Sequence, residues 1–369
     1  VSERLERYKK AKQDRLDGKF NGAPLYHSFP RLGEVVPAIP RGMQLMLLAG
    51  NGVGKSQGVI GLFVISVYRL IKKYNYKAKL YIFLLEDPAT LFEDRLFCAV
   101  MYLKYKIVID PLQLNSVKKN LVDDTTEAKF EEVDKTVEDI LSHCIIEENI
   151  SNPTGIYKYL RTISGKEGKH YTKKSMFKYT KLDGSEYEEE KIIYDRYEPD
   201  DPELHNIVIV DNLNNLASEY DDKQKKELDT KGCISKWTKD YSRKNVCKHW
   251  GYSVINVMQT DLATDRKQLD FKGNVMIDKV EPNLASLGED KTASRAHHLI
   301  LALFSPDRFG IDNYEGYDIT KLGDKFRSLI VLKSNFGSSN VKLPLYFNGS
   351  CSYFEELPKV KDINYSKYT

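Results

Sequence analysis

Four nearly continuous apolar runs of strand length constrain this chain most: "QLMLLA" (44–49), "AKLYIFLL" (78–85), "NIVIVD" (206–211) and "YSVINVM" (252–258). None alternates apolar with polar residues, so each suits a strand covered on both faces, as in a parallel sheet. Segments of helix length separate them, at 55–74, 88–105, 127–143 and 231–249. Alternation of this kind predicts an α/β fold in which helices cross over between parallel strands. The tail, "FRSLIVLKSNFGSSNVKLPLYFNGSCSYFEEL", breaks the pattern and reads as antiparallel strands joined by Gly/Ser/Asn turns. A chain of 369 residues is long enough to bury a substantial core, as one large domain or two small ones.

The first run leads into "LMLLAGNGVGKSQGVI" (45–60), which fits [AG]-x-x-x-x-G-K-[ST] with Ala49 in the first place and Gly54, Lys55 and Ser56 closing it. A buried-type strand before the motif and an apolar helix after it supply the context a phosphate loop requires. The segment Gly50, Asn51, Gly52, Val53, Gly54, Lys55, Ser56, Gln57 is therefore the expected nucleotide cradle. Its three glycines let backbone N–H groups close around phosphates, and the helix N-terminus adds a positive dipole. Lys55 is expected to reach the terminal phosphates of ATP, and the Ser56 hydroxyl to ligate Mg²⁺.

Ligands of open α/β sheets sit at the carboxyl ends of the strands. Those ends carry Glu86-Asp87, Asp211-Asn212 and Gln259-Thr260. Asp211, an acid after four apolar residues, fits the acid that holds Mg²⁺ through water. Asn212 follows it where many ATPases carry a second, water-activating acid, so Glu86 on the neighbouring run is expected to fill that role. Gln259 is placed to sense the γ-phosphate.

The net charge of +3 gives no strong overall field, so nucleic-acid contact has to come from local basic loops. The five cysteines are scattered without a C-x-x-C pair, which suits reduced thiols and not a metal site. The charged start, "VSERLERYKKAKQDR", lacks an apolar h-region, and no stretch approaches 18 apolar residues. Secretion and membrane spanning are both disfavoured, and a cytoplasmic protein is expected. Residues 1–17 read as a helix with Leu5, Tyr8 and Leu16 loosely on one face. The polar stretch 164–202, with an Asp-Gly turn between alternating aromatic and charged residues, reads as an exposed hairpin insertion, with disorder as the alternative.

With these residues in hand, the chain resembles the RecA-like motor domain of DnaB-type replicative helicases, most of all the divergent copies carried by bacteriophages. "GAPLYHSFPRLGEVVPAIPRGMQLMLLAGNGVGKS" is similar to that family's lead-in and P-loop, where Ala is a usual first residue. "YIFLLEDPATLFEDRLFCA" is similar to its "SLEM" segment, which makes Glu86 the catalytic acid and Arg95 the recurring downstream arginine. "IVIVDNLNNL" resembles "IDYLQL", and "ISKWTKDYSRKNVCKHWGYSVINVMQTDLA" resembles the segment ending in "SQLNR", with Gln259 as sensor. "SLGEDKTASRAHHLILALF" resembles "SGSIEQDADLVLFL", with Ala296-His297-His298 in place of the acidic residues. The resemblance covers residues 22 to about 357.

It implies a RecA-like P-loop NTPase core with a mostly parallel central sheet and C-terminal antiparallel strands. It divides the chain into a linker-like helix (1–20), an ATPase domain (21–357, with the insertion 164–202) and a C-terminal tail (358–369). The family's helical collar domain has no counterpart in this sequence. The implied activity is an ATP-dependent helicase that moves along single-stranded DNA as a homo-oligomer, a hexamer, with a primase or helicase loader as partner. For a phage-encoded member, the compartment implied is the bacterial host's cytoplasm. The channel-facing loops would carry Lys223, Lys225, Lys226, Arg266, Lys267 and Lys272 to DNA phosphates.

One departure matters. The family's last strand carries K-x-R-x-G, whose Lys and Arg reach into the neighbouring subunit's site, whereas here "LKSNFG" offers Lys333 but has Asn335 in place of the arginine. Lys333 is expected to act in trans, with Arg327 in reserve and Arg308 as a further substitute. Two other readings share the same residues: a recombination or clock-type regulatory ATPase of the RadA or KaiC style, and a nucleotide-binding subunit with weak hydrolysis.

Overall fold

The computed structural model describes residues 2–17, 19–181, 183–221, 225–260, 268–270, 273, 275–287 and 291–368. Its helices and strands are, in chain order, α1 (Glu3–Leu16), β1 (Gln44–Ala49), α2 (residues 55–74), β2 (Ala78–Leu84), α3 (Ala89–Tyr105), α4 (Phe130–Leu141), β3 (Cys144–Glu147), α5 (Pro153–Lys166), β4 (Gly168–Thr180), β5 (Glu186–Pro199), β6 (His205–Asp211), α6 (residues 230–247), β7 (Ser253–Gln259), β8 (Leu299–Phe304), β9 (Phe326–Ser334), β10 (Val341–Asn348) and β11 (Tyr353–Glu356). Shorter turns and bridges connect them.

Nine of these strands form the central sheet, in the order β11-β10-β9-β8-β1-β7-β6-β2-β3. The six from β8 to β3 run parallel, while β9, β10 and β11 alternate in direction. This is the α/β class expected, with antiparallel strands at the C-terminal end. Each central strand is buried along its length because successive side chains feed two separate cores. On β1, Leu45, Leu47 and Ala49 enter one apolar layer and Met46 and Leu48 the other. The first layer is covered by α2, α3 and α4, and the second by α5, α6 and the segment 309–322.

Two strands and one helix were not among the expected elements. β3 is four residues long and half-exposed at the sheet edge. β8, "LILALF", is fully buried beside β1. α5 starts on Asn152 and Pro153, a proline placed where a first-turn N–H needs no partner. Within α2, Val59–Val64 is π-helical.

Residues 168–199 form a two-stranded antiparallel hairpin, β4 against β5, turning near Asp183 and Gly184 (φ +83°). Its root is tied down by Glu167, whose carboxylate accepts from Lys79 (2.9 Å), Tyr81 (2.7 Å), Asn206 (2.9 Å) and Tyr252 (3.3 Å). Lys79 and Asn206 stand near the starts of β2 and β6, so the hairpin leaves the sheet at the edge opposite the strand carboxyl ends. α1, capped by Ser2, buries no residue, and Leu5, Tyr8 and Leu16 are all exposed. The guanidinium of Arg15 anchors it, 4.7 Å from the Phe20 ring centroid and 5.5 Å from that of Tyr26. The last residues fold back on the body: Tyr368 is buried against Tyr346, and the Tyr365 hydroxyl accepts from the Asp318 N–H at 2.9 Å. Among the described residues no helix is long and apolar enough to cross a membrane.

Candidate nucleotide site

The site follows from strand register. Ala49 at the end of β1 pairs with Gln259 on β7 and with Leu303 on β8, and Leu84 at the end of β2 pairs with Asp211. Glu86, Asp211, Gln259 and the loop 50–57 therefore open at one edge of the sheet, and the sequence-predicted residues Lys55, Ser56, Glu86, Asp211 and Gln259 come together there.

Within the loop, Gly52 (φ +64°) and Gly54 (φ +106°) take left-handed backbone. A side chain at Gly54 would also meet the Phe347 ring, with the ideal Cβ 2.8 Å from Cζ. Lys55 opens α2 and is 8 % exposed. Gly50, Val53 and Gly54 are buried, Ser56 and Gln57 half-buried, and Asn51 and Gly52 face solvent.

Asp211 is 3 % exposed, and its Oδ1 has no hydrogen-bond partner. Burial pushes its carboxyl up to about 6; the Ser56 hydroxyl and the Lys55 ammonium pull it back, while Asp87 and Glu86 push it further. An acid held above its ordinary range by burial, one oxygen unused, beside a hydroxyl and a lysine, suits a hydrated divalent cation. The donor set thus fits Mg²⁺ carried with nucleotide phosphates.

Glu86 is exposed at the end of β2, and the Asn212 side-chain amide donates to its Oε2. The amide that occupies the place of a second acid thus holds the first one. Next to it, Arg95 pairs with Asp87 at 2.5 Å, and the Ala89 N–H donates to Glu148 at 2.7 Å. The Gln259 backbone N–H donates to Asn214 Oδ1 at 2.8 Å, which ties the end of β7 to the turn after Asp211. The sequence reading took Asn212 only as a missing acid, and Asn214 did not figure in it. The clustering of three asparagines in "DNLNN" directly after the acid is the signal that singles them out.

Two arginines also belong to this site. Arg308 donates to the Asn51 carbonyl. Arg327 is 4 % exposed, and its Nε donates to the Val53 carbonyl at 2.8 Å. Its Nη1 reaches Ser305 Oγ (3.1 Å) and the carbonyls of Asp324 (2.6 Å) and Phe326 (2.8 Å). Arg327, expected to reach into a neighbouring copy, makes these bonds within its own chain, behind its own P-loop.

Lys333 lies elsewhere. β9 runs against β8, so Arg327 stands near the site while Lys333 pairs with Ile300 toward the far edge. Its Nζ donates to the carbonyls of Ser294 (2.9 Å) and His297 (2.7 Å), and burial lowers its pKa. Asn335 beside it is exposed. His297, from the Ala296-His297-His298 segment, is buried: its Nε2 meets the side-chain amides of Gln44 (3.0 Å) and Asn256 (2.8 Å), and its Nδ1 meets the Ala293 carbonyl at 2.6 Å. Facing two NH₂ donors, Nε2 has to stay unprotonated, and burial holds this imidazole down at about 3.

Of the expected DNA-facing lysines, Lys225 sits in a turn (φ +53°) and Lys226 opens a short strand paired with Asp221; both are exposed. Lys223, Arg266, Lys267 and Lys272 lie outside the described residues.

No protein-family model matches the chain, and no curated protein does. Solved structures do. The ATPase domain of G40P aligns with a TM-score of 0.64 at 14% identity, over 96% of this chain and 97% of that one. A DnaB-like replicative helicase, whose structure was described together with its interactions with primase, aligns with a TM-score of 0.66 at 15% identity, over 97% of this chain and 68% of the other. The chain has the fold of DnaB-type replicative helicase ATPase domains: a RecA-like α/β core with a mostly parallel central sheet.

Proposed function

We propose that this chain is an ATP-hydrolysing DNA helicase motor that moves along single-stranded DNA as a ring-shaped oligomer, a hexamer, during replication. The observation that carries the reading is the gathering of Lys55, Ser56, Asp211, Glu86 and Gln259 around the glycine loop at one sheet edge. The likeness in fold to replicative-helicase ATPase domains supports it. Lys55 and the loop amides hold the phosphates of ATP, and Ser56 and Asp211 hold Mg²⁺, Asp211 through water. The cation, when bound, neutralises charge on the β- and γ-phosphate oxygens. Glu86, oriented by Asn212, takes the proton of the attacking water. Gln259 senses the γ-phosphate and passes that state to the segment after β7. Lys225 and Lys226, with Lys223, Arg266, Lys267 and Lys272, track the strand's phosphates. α1 acts as a linker helix docking on a neighbouring copy, Lys333 reaches the neighbour's site, and a primase or loader engages the ring.

ATPase rates with and without single-stranded DNA, for wild type and Glu86→Gln, test the reading. Stimulation by DNA is expected, with turnover falling at least a hundredfold in Glu86→Gln while ATP binding persists. Absence of DNA stimulation together with an unimpaired variant would sink it. Strand displacement on a forked duplex then separates a helicase from a recombination or regulatory ATPase. Asn335, a neutral exposed amide where a charged finger is expected, favours one second reading: a nucleotide-binding subunit with weak hydrolysis. Nucleotide binding without turnover, with or without DNA, is the outcome that selects it.

A further inference from the structure

Arg308 and Arg327 approach the P-loop from behind, and both take carbonyl oxygens. Arg308 bonds the carbonyl of Asn51, and Arg327 Nε that of Val53 at 2.8 Å. In a trans peptide the C=O of one residue and the N–H of the next lie in one rigid plane and point in opposite directions. Fixing the Asn51 and Val53 carbonyls therefore aims the N–H groups of Gly52 and Gly54 away from the arginines, into the hollow of the loop. The left-handed φ angles of those two glycines, alternating with Val53, give the concave run of amides that binds anions.

A second observation points the same way. Arg327 is 4 % exposed and its guanidinium lies 4.5 Å from the Phe347 ring centroid, yet every hydrogen bond it makes goes to a carbonyl or a hydroxyl. Asp324 and Asp307 attract it from a distance and Arg308 repels it. A buried cation bonded to no carboxylate, with a second cation beside it, is costly unless an anion arrives nearby. The Phe347 ring that stacks on Arg327 is also the one that Gly54 packs against. Arginine, ring and loop therefore form one block.

We propose that Arg308 and Arg327 are positioning residues of this chain's own nucleotide site, clamping the loop carbonyls so that the Gly52 and Gly54 amides are preset for a di- or triphosphate. This deepens the ATPase reading above and rests on it. The clamp acts in cis and on phosphate binding, whereas a finger supplied to a neighbour acts on the chemical step. The two roles leave opposite kinetic signatures.

Arg308 is exposed, so its replacement spares the fold. For wild type, Arg308→Ala and Arg308→Lys, the Kd of fluorescent ADP and ATP analogues is measured alongside the KM and kcat of ATP hydrolysis. Arg308→Ala is expected to weaken ADP and ATP binding and raise KM by about tenfold, the loss of one charge-assisted hydrogen bond, with kcat at saturating ATP within about twofold. Arg308→Lys, which keeps a charge and a donor, recovers part of that loss. Unchanged affinity in Arg308→Ala, or a kcat falling by orders of magnitude at constant KM, overturns the clamp while leaving the ATPase reading intact. A wild type that binds neither nucleotide overturns both. Arg327→Lys provides the buried counterpart: with an unchanged melting temperature it must show the same rise in KM, and unchanged KM there also overturns the clamp.

Discussion

The buried carboxyl of Asp211 makes a prediction about stability that no catalytic assay touches. Its pKa stands at about 6 against an ordinary 3.8, chiefly because burial penalises the charged form. For an acid raised in the folded state, the associated stability is fully present below the ordinary value and is lost as pH rises through the folded one. At pH 7 the nucleotide-free protein therefore holds a carboxylate at a cost of about 3 kcal/mol, at 1.36 kcal/mol per pH unit. Asp211→Asn keeps the shape and removes the charge. With an unfolding entropy of about 2.1 cal/mol/K per residue over 369 residues, the variant is expected to melt about 4 °C higher at pH 7 in EDTA. At pH 4 the two proteins are expected to melt together. Differential scanning calorimetry at both pH values is the assay. With Mg²⁺ and ADP present the order inverts, because wild type gains ligand stabilisation that the variant lacks. A variant that melts at or below wild type at pH 7 in EDTA, or that keeps the same lead at pH 4, refutes the assignment of the cost to a buried charge.

Gly54→Ala forces an L-residue into φ +106° against the Phe347 ring; a destabilisation of about 2 kcal/mol and a tenfold or greater loss of ADP affinity are expected, and an unchanged urea midpoint refutes this. His297, neutral when folded, makes unfolding take up a proton below its ordinary pKa of 6.5, so stability is present above that pH and lost as pH falls toward about 3. His297→Gln is expected to flatten the dependence of urea midpoints on pH between about 6.5 and 5 by one proton's worth, about 1.4 kcal/mol per pH unit; parallel slopes refute it. Glu167→Gln weakens the bonds to Lys79, Tyr81, Asn206 and Tyr252 and is expected to cost about 2 kcal/mol. ATP turnover at saturation stays unchanged, because Glu167 lies at the other edge of the sheet; a fall in turnover would show that the two edges are coupled.

The strands that position the site were legible because burial on both faces leaves an unbroken apolar signature, as in "QLMLLA" and "NIVIVD". The P-loop was legible because its glycines, lysine and serine are adjacent in sequence. β3 was hidden by its length and by the half-exposure of an edge strand, and α5 by the proline and glycines that ordinarily mark turns. The support behind the loop was illegible for a different reason. Arg308 and Arg327 meet Asn51 and Val53 across more than 250 residues of chain, and only the placement of β8 beside β1, with β9 beside β8, brings them there. Nothing in the local sequence around Arg308 or Arg327 tells which carbonyls they will meet. Asn212, similarly, read as a missing acid until its amide was seen on Glu86.

β9 runs against the strands whose ends form the nucleotide site, and it carries Arg327 near one end and Lys333 near the other, with a β-bulge at Leu332 where its pairing with β8 shifts register. It therefore joins the loop's rear support to the opposite rim of the sheet through roughly 20 Å of extended backbone. A paired strand resists stretching along its length, so Arg327 to Val331 forms one stiff rod, and the extra residue at Leu332 is slack between that rod and Lys333.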